Sequence, residues 1–130
     1  MIYKNVLVID DSYFDRLIAG KVVQMSKFAE QVITIGSVKE ALAYLNSKMA
    51  TPSEMPEVIF LDIRMPGIDG FGFLELFDKA PPQIQDNCKI FMLSSSVDPE
   101  DINRADKCKY VCSYISKPLT TAKLRELKRV

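Results

Sequence analysis

The chain contains no histidine. That absence removes Ser-His and Cys-His nucleophile pairs, the ordinary zinc-hydrolase sites, and any phosphohistidine formed on the chain itself. Cysteine is sparse. Cys88, Cys108 and Cys112 form no Cys-x-x-Cys spacing, and an odd count suits reduced thiols packed as small core residues rather than a zinc or redox site. Charge of one sign is also missing, because 17 basic residues meet 17 acidic ones. A zero net charge creates no chain-wide field for nucleic acid or an anionic membrane. No apolar run approaches the roughly 18 residues of a membrane span. Met1-Ile2-Tyr3-Lys4 enters a strand directly, without the pattern of a signal peptide. Together these readings place the chain in the cytoplasm and off the membrane. Its 130 residues, 48% of them apolar, suffice for one domain over residues 1–130 with a core of its own.

What the chain does have is two apolar runs that each end in acid. Val6-Leu7-Val8-Ile9 runs into Asp10-Asp11, and Val58-Ile59-Phe60-Leu61 runs into Asp62. Short runs rich in β-branched residues and bounded by charge read as strands buried on both faces, the mark of a parallel sheet. Ligands of such sheets sit beyond the strand carboxyl ends, so adjacent strands would gather three carboxylates at one edge. Two unit charges about 5 Å apart at an effective dielectric near 20 repel by roughly 3 kcal/mol. A hard dication turns that repulsion into attraction.

Apolar runs alternate with helical periodicity along the rest of the chain. Phe14, Leu17, Ile18, Val22 and Met25 fall on one helical stripe, and residues 31–35 form a short strand. Ser37 opens a capping-box pattern, with Val38, Ala41, Leu42, Leu45 and Met49 marking the helix that follows. A loop over 51–56, with Pro52 and Pro56 near its ends, leads to the strand at 57–62 and the turn at 65–70. A third helix runs through Phe71, Leu74, Glu75 and Phe77 until Pro81-Pro82 stops it. Residues 89–93 form a fourth strand, Asp98-Pro99 cap and start a fourth helix, and 111–115 form a fifth strand. The last helix begins near Thr120. The expected fold is α/β: a doubly wound, five-stranded parallel sheet with helices on both faces.

Each polar residue at the strand ends has a plain explanation when taken alone. Asp10 or Asp11 reads as a helix cap, Asp62 as a strand terminator, Ser94 as a loop hydroxyl and Lys117 as a surface cation. Their joint placement at one rim is harder to assign to chance. A carboxylate attacks phosphorus to give an acyl phosphate, provided that a metal and a cation neutralise the crowded negative charge. Magnesium takes one or two carboxylates plus phosphate oxygens, a lysine supplies a point charge, and a hydroxyl donates a hydrogen bond.

The segments VLVIDDS, VIFLDIRMPGIDG, FMLSSS and YISKPLT, in that order, closely resemble the receiver (response regulator) domain of two-component signalling. The resemblance covers nearly the whole chain. It implies a flavodoxin-like sheet of order 2-1-3-4-5, with Asp10 and Asp11 as the acidic pair that holds Mg2+. It further implies Asp62 as phosphoacceptor, the Arg64 backbone carbonyl in the metal shell, Lys117 and Ser94 at the phosphoryl group, and Ser94 with Tyr114 as switch residues. Arg64 and Ser96 match positions that tune aspartyl-phosphate lifetime. Ser94-Ser95 departs from the frequent Thr-Ala, and the loop over 51–56 is longer than in many members.

The implied partner is a histidine kinase or a histidine phosphotransfer protein, since no histidine lies here. Output is expected at the face formed by the fourth helix, fifth strand and last helix, about 98–123, toward an unidentified downstream protein or a second copy of the chain. The five basic residues from Lys117 to Arg129 fit a solvated helix face better than nucleic-acid contact. Val130 falls inside a helical pattern, which suits either a single-domain regulator or a piece of a longer protein. Rival readings want different residues. A haloacid-dehalogenase-like phosphatase would carry an acid where Arg64 stands. A flavin-binding module would want a hydroxyl- and glycine-rich phosphate loop in place of Asp10-Asp11-Ser12-Tyr13. A pure docking pseudo-receiver would have lost one of the acids.

Overall fold

The computed structural model describes residues 2–127; the readings above that involve Met1, Lys128, Arg129 and Val130 lie outside them. Five strands form one parallel sheet in the order β2-β1-β3-β4-β5. They are β1 (Tyr3–Ile9), β2 (Ala29–Ile35), β3 (Val58–Leu61), β4 (Lys89–Ser94) and β5 (Val111–Ser116). Helices α1 (Tyr13–Met25), α2 (Val38–Ser47), α3 (Gly70–Phe77), α4 (Pro82–Gln85), α5 (Pro99–Asp106) and α6 (Thr121–Glu126) connect and follow them.

Period-2 alternation splits the strand side chains between two cores. Leu7, Ile9, Ile59, Leu61, Ile90 and Met92 pack toward α2, α3 and α5, around Leu45, Phe73, Phe77 and Ala105. Val6, Val8, Val58, Phe60, Phe91 and Leu93 pack on the opposite face against Ala19 and Val23 of α1 and Leu124 of α6. Helices cover both faces of the sheet over its centre, which is why β3 is buried at every residue.

Three sequence expectations shift. In α1 the residues that reach the core are Ala19, Gly20 and Val23, whereas Phe14, Leu17 and Met25 of the expected stripe are exposed. Small residues face the sheet here, and a Cβ on Gly20 would make ordinary van der Waals contact with the Thr34 methyl at 3.5 Å. The buried face is therefore rotated from the larger apolar side chains by about one residue, or ~100°. Pro81-Pro82 does not only end α3; proline at the first helical position opens the one-turn α4. The helix anticipated as the fourth is thus α5. Cys88 is buried, and burial alone pushes its thiol up to about 12, but Cys112 is exposed on β5 and is no core residue.

Where β3 gives way to the turn before α3, the backbone is crowded. A Cβ at Gly70 would lie within collision distance of the Asp62 carbonyl oxygen and the Ile63 Cα. Gly70 N–H donates to the Ile63 carbonyl at 2.9 Å, and Gly67 takes φ +74° in the same turn. Glycine at 70 thus lets α3 start directly against the residue that carries the Asp62 side chain. Gly70→Ala is expected to cost about 1–3 kcal/mol, the usual penalty of overpacking, as a lower urea midpoint at unchanged slope.

Candidate functional site

Strand order reverses between β1 and β3, because β1 leads outward to β2 while β3 leads the other way to β4 and β5. Ile9 pairs with Leu61 in the parallel register, so the next residues, Asp10 and Asp62, emerge side by side at the sheet's carboxyl edge. Hydrogen bonds fix both backbones: Asp10 N–H donates to the Ile35 carbonyl at 3.1 Å and Asp62 N–H to the Ile9 carbonyl at 3.0 Å. Asp11 follows, exposed. One oxygen from each of Asp10, Asp11 and Asp62 can lie within 4.8 Å of the others.

The capping explanation for the acidic pair does not hold. Ser12 is the cap of α1, its hydroxyl accepting from Asp15 N–H at 3.2 Å. Asp10 Oδ1 instead accepts from Ser12 N–H at 2.9 Å, and the Arg16 guanidinium donates to the Asp10 carbonyl at 2.8 Å.

Lys117 enters from the end of β5, where its N–H donates to the Ser94 carbonyl at 2.9 Å. Its ammonium meets three carboxylates: Asp10 Oδ2 at 2.7 Å, Asp15 Oδ2 at 2.9 Å and Asp62 Oδ2 at 3.3 Å. Burial works against its charge, but the hydrogen bonds to Asp10 and Asp15 and the charges of Asp62 and Asp10 outweigh that, raising its pKa above 10.5. For Asp62 the balance is reversed. Burial and then the neighbouring Asp10 charge raise its pKa above 3.8, against the pull of Lys117 and the Ile63 N–H that Asp62 Oδ1 accepts at 2.8 Å. Ser94 is fully buried at the end of β4, its hydroxyl accepting the Ser96 N–H at 3.2 Å.

Arg64 and Tyr114 stand apart from this cluster but share a second one. Arg64 reaches across to α5 and pairs with Asp101 at 2.5 Å. The same Asp101 oxygen accepts from the Ser96 hydroxyl at 2.8 Å, and the Tyr114 hydroxyl donates to the Ser96 carbonyl at 2.8 Å. Sequence reasoning had singled out neither Asp15 nor Asp101. Each sits in the first turn of a helix, where an acid is ordinary dipole and cap chemistry, so nothing in sequence spacing marks it.

The chemistry of the donor set fits a small hard cation: three carboxylates, no soft ligand, and a lysine as the cation touching two of them. Residues 6–129 match the response regulator receiver domain family. The chain belongs to that family. A two-component response regulator from Cytophaga hutchinsonii is 32% identical, with a TM-score of 0.87 over 94% of this chain and 91% of that one. A response regulator receiver protein from Dyadobacter fermentans DSM 18053 is 33% identical, with a TM-score of 0.83 over 95% of this chain and 93% of that one. The two-component response regulator ARR9 of Arabidopsis thaliana is 30% identical over 95% of this chain and 57% of its own length. Probable histidine kinase 5 of Oryza sativa subsp. japonica is 30% identical over 72% of this chain, which covers 7% of that protein. The chain thus spans a fraction of these curated relatives.

Receiver domains are signalling domains of two-component systems, and they typically bind Mg2+ at an acidic cluster. Among the described residues of this one, no helix is long and apolar enough to cross a membrane. The electrostatics of Asp62 give a sign to its stability. Because its carboxyl is raised in the folded state, ionising it opposes folding above that pKa and contributes nothing against folding below 3.8. Asp62→Asn is therefore expected to stabilise the protein at pH 7 by of order 1 kcal/mol, what remains of a ~3 kcal/mol repulsion once the lost Lys117 contact is deducted. In urea melts across pH, that gain should vanish as pH falls through the raised pKa.

Proposed function

We propose that Asp62 accepts a phosphoryl group from a phosphohistidine on a histidine kinase or histidine phosphotransfer protein, with Mg2+ bound at Asp10, Asp11, Asp62 and the Arg64 backbone carbonyl. The observation that carries this reading is the convergence of those three carboxylates at the switch point of the sheet, with Lys117 against two of them. Bound Mg2+ would neutralise the acids and stabilise negative charge on the phosphoryl oxygens in flight. The Asp62 carboxylate forms the new O–P bond while the donor's N–P bond breaks and its electron pair returns to the imidazole nitrogen. Lys117 supplies the ammonium that meets a phosphoryl oxygen, and the Ser94 hydroxyl donates a hydrogen bond to another.

The donor must be another molecule, since the chain has no histidine. Tyr13 and Phe14 follow Asp11 and Ser12 directly and are exposed, with Leu17 one turn on. An apolar collar beside a charged opening suits a protein donor. Phosphorylation adds about −1.5 to −2 charge at pH 7. Drawing Lys117 and Ser94 toward it perturbs the Ser96 turn, the carbonyl that holds Tyr114 and the Asp101 anchor of α5. The α5–β5–α6 surface is then the output face, toward a downstream protein or a second copy of the chain.

Incubation with acetyl phosphate and Mg2+ tests the chemistry. One acid-stable, alkali-labile phosphate is expected on the wild type and none on Asp62→Ala; label that survives this substitution would place the acceptor elsewhere. Phe14→Asp separates the donor surface from the chemistry. Transfer from a protein phosphohistidine should slow about tenfold, as for loss of a well-packed interface residue, while labelling by acetyl phosphate stays as in the wild type.

A further inference from the structure

We propose that Asp15 is a positioning residue for Lys117, holding the ammonium at the mouth of the site once Asp10 and Asp62 are occupied elsewhere. This rests on the phosphoacceptor reading of Asp62. An ammonium has three N–H donors, and here each faces a different carboxylate: Asp10, Asp15 and Asp62. Two of those partners, Asp10 and Asp62, belong to the acid cluster that suits a dication. A cation bound by these carboxylates competes with Lys117 for Asp10 and Asp62 and repels its ammonium. Asp15 lies outside the cluster, in the first turn of α1. It is the one partner that Lys117 keeps.

The local geometry of the helix supports this role for Asp15. At the third helical position after the Ser12 cap, an acid ordinarily reaches back to the cap residue's N–H. That N–H is already taken by Asp10 Oδ1 at 2.9 Å. The Asp15 carboxylate is turned instead to Lys117, 102 positions away in the chain. Its side chain is 37% exposed against 14% for Lys117, so it stands on the solvent side of the ammonium. With one N–H kept by Asp15, the other two are left to point inward to phosphoryl oxygens on Asp62. Without Asp15 the ammonium has only Asp10 and Asp62, where it competes harder with the metal.

A cycle of Asp15→Asn and Lys117→Met, in the full chain, measures this through two readouts. In saturating Mg2+, Asp15→Asn should slow labelling of Asp62 by acetyl phosphate about fivefold, within the range of coupling between contacting residues. Asp15→Glu, which restores the charge, should recover most of that rate. By calorimetry, Asp15→Asn should weaken Mg2+ binding about threefold in the wild type and leave it unchanged in the Lys117→Met background, where no ammonium competes. Equal losses in both backgrounds would show that Asp15 acts on the metal by its charge alone and would overturn the proposal. So would an unaltered labelling rate in Asp15→Asn. A wild type that binds Mg2+ but takes no label overturns the phosphoacceptor reading instead, and the magnesium cycle still decides the role of Asp15.

Discussion

Two carboxylates forced into one another's company by backbone pairing are the constraint around which this molecule is organised. Register sets Ile9 opposite Leu61, so Asp10 and Asp62 cannot separate without unzipping the two central strands. Both are buried, and an effective penalty of several kcal/mol attaches to each buried ion. Lys117 is what makes the arrangement tolerable, and only in part, since the Asp62 carboxyl remains raised by burial and by Asp10. The protein accepts a strained charge distribution at this edge and offsets it with two apolar cores on either face of the sheet.

Charge at the edge must also be felt elsewhere for a receiver domain to signal. Arg64, two residues past Asp62, is bonded to Asp101 on α5, and Asp101 holds the Ser96 hydroxyl. Ser96 in turn receives Tyr114 through its carbonyl and donates its N–H to Ser94. Each link is short and directional, so on the proposed reading a displaced Ser94 would reach the anchor of Tyr114 through the Ser96 turn. Such coupling would run through specific hydrogen bonds, which have discrete alternatives, rather than through a graded deformation of packing.

The strands and their acidic ends could be read from sequence because their signal is local. Four buried residues in a row followed by Asp make a strand and its terminus visible together, and Ser37, Asp98 and Thr120 announce their helices by cap chemistry. The face of α1 could not be read that way. Its periodicity favours the larger side chains Phe14, Leu17 and Met25, but the contact is made by Ala19, Gly20 and Val23, since close approach depends on small size rather than hydrophobicity. Asp15 and Asp101 were hidden for another reason. Their partners, Lys117 and Arg64, are distant in sequence, and an acid in a helix's first turn has a local explanation that masks a long-range one.

The same reasoning bears on why the chain is neutral overall yet acidic at one edge. Four carboxylates meet there, and one ammonium touches three of them. An anionic phosphodonor arriving at such an edge is repelled, and the Debye length of about 8 Å at physiological ionic strength does little to screen charges this close together. Lys117 alone cannot invert that field while its three N–H groups are taken by the acids themselves. On the phosphoacceptor reading, a cation held by Asp10 and Asp62 would free two of those N–H groups for a phosphoryl group, while Asp15 keeps the third. Saturation of the lysine would then act as a guard, leaving no N–H group free for phosphate until Asp10 and Asp62 have found another partner.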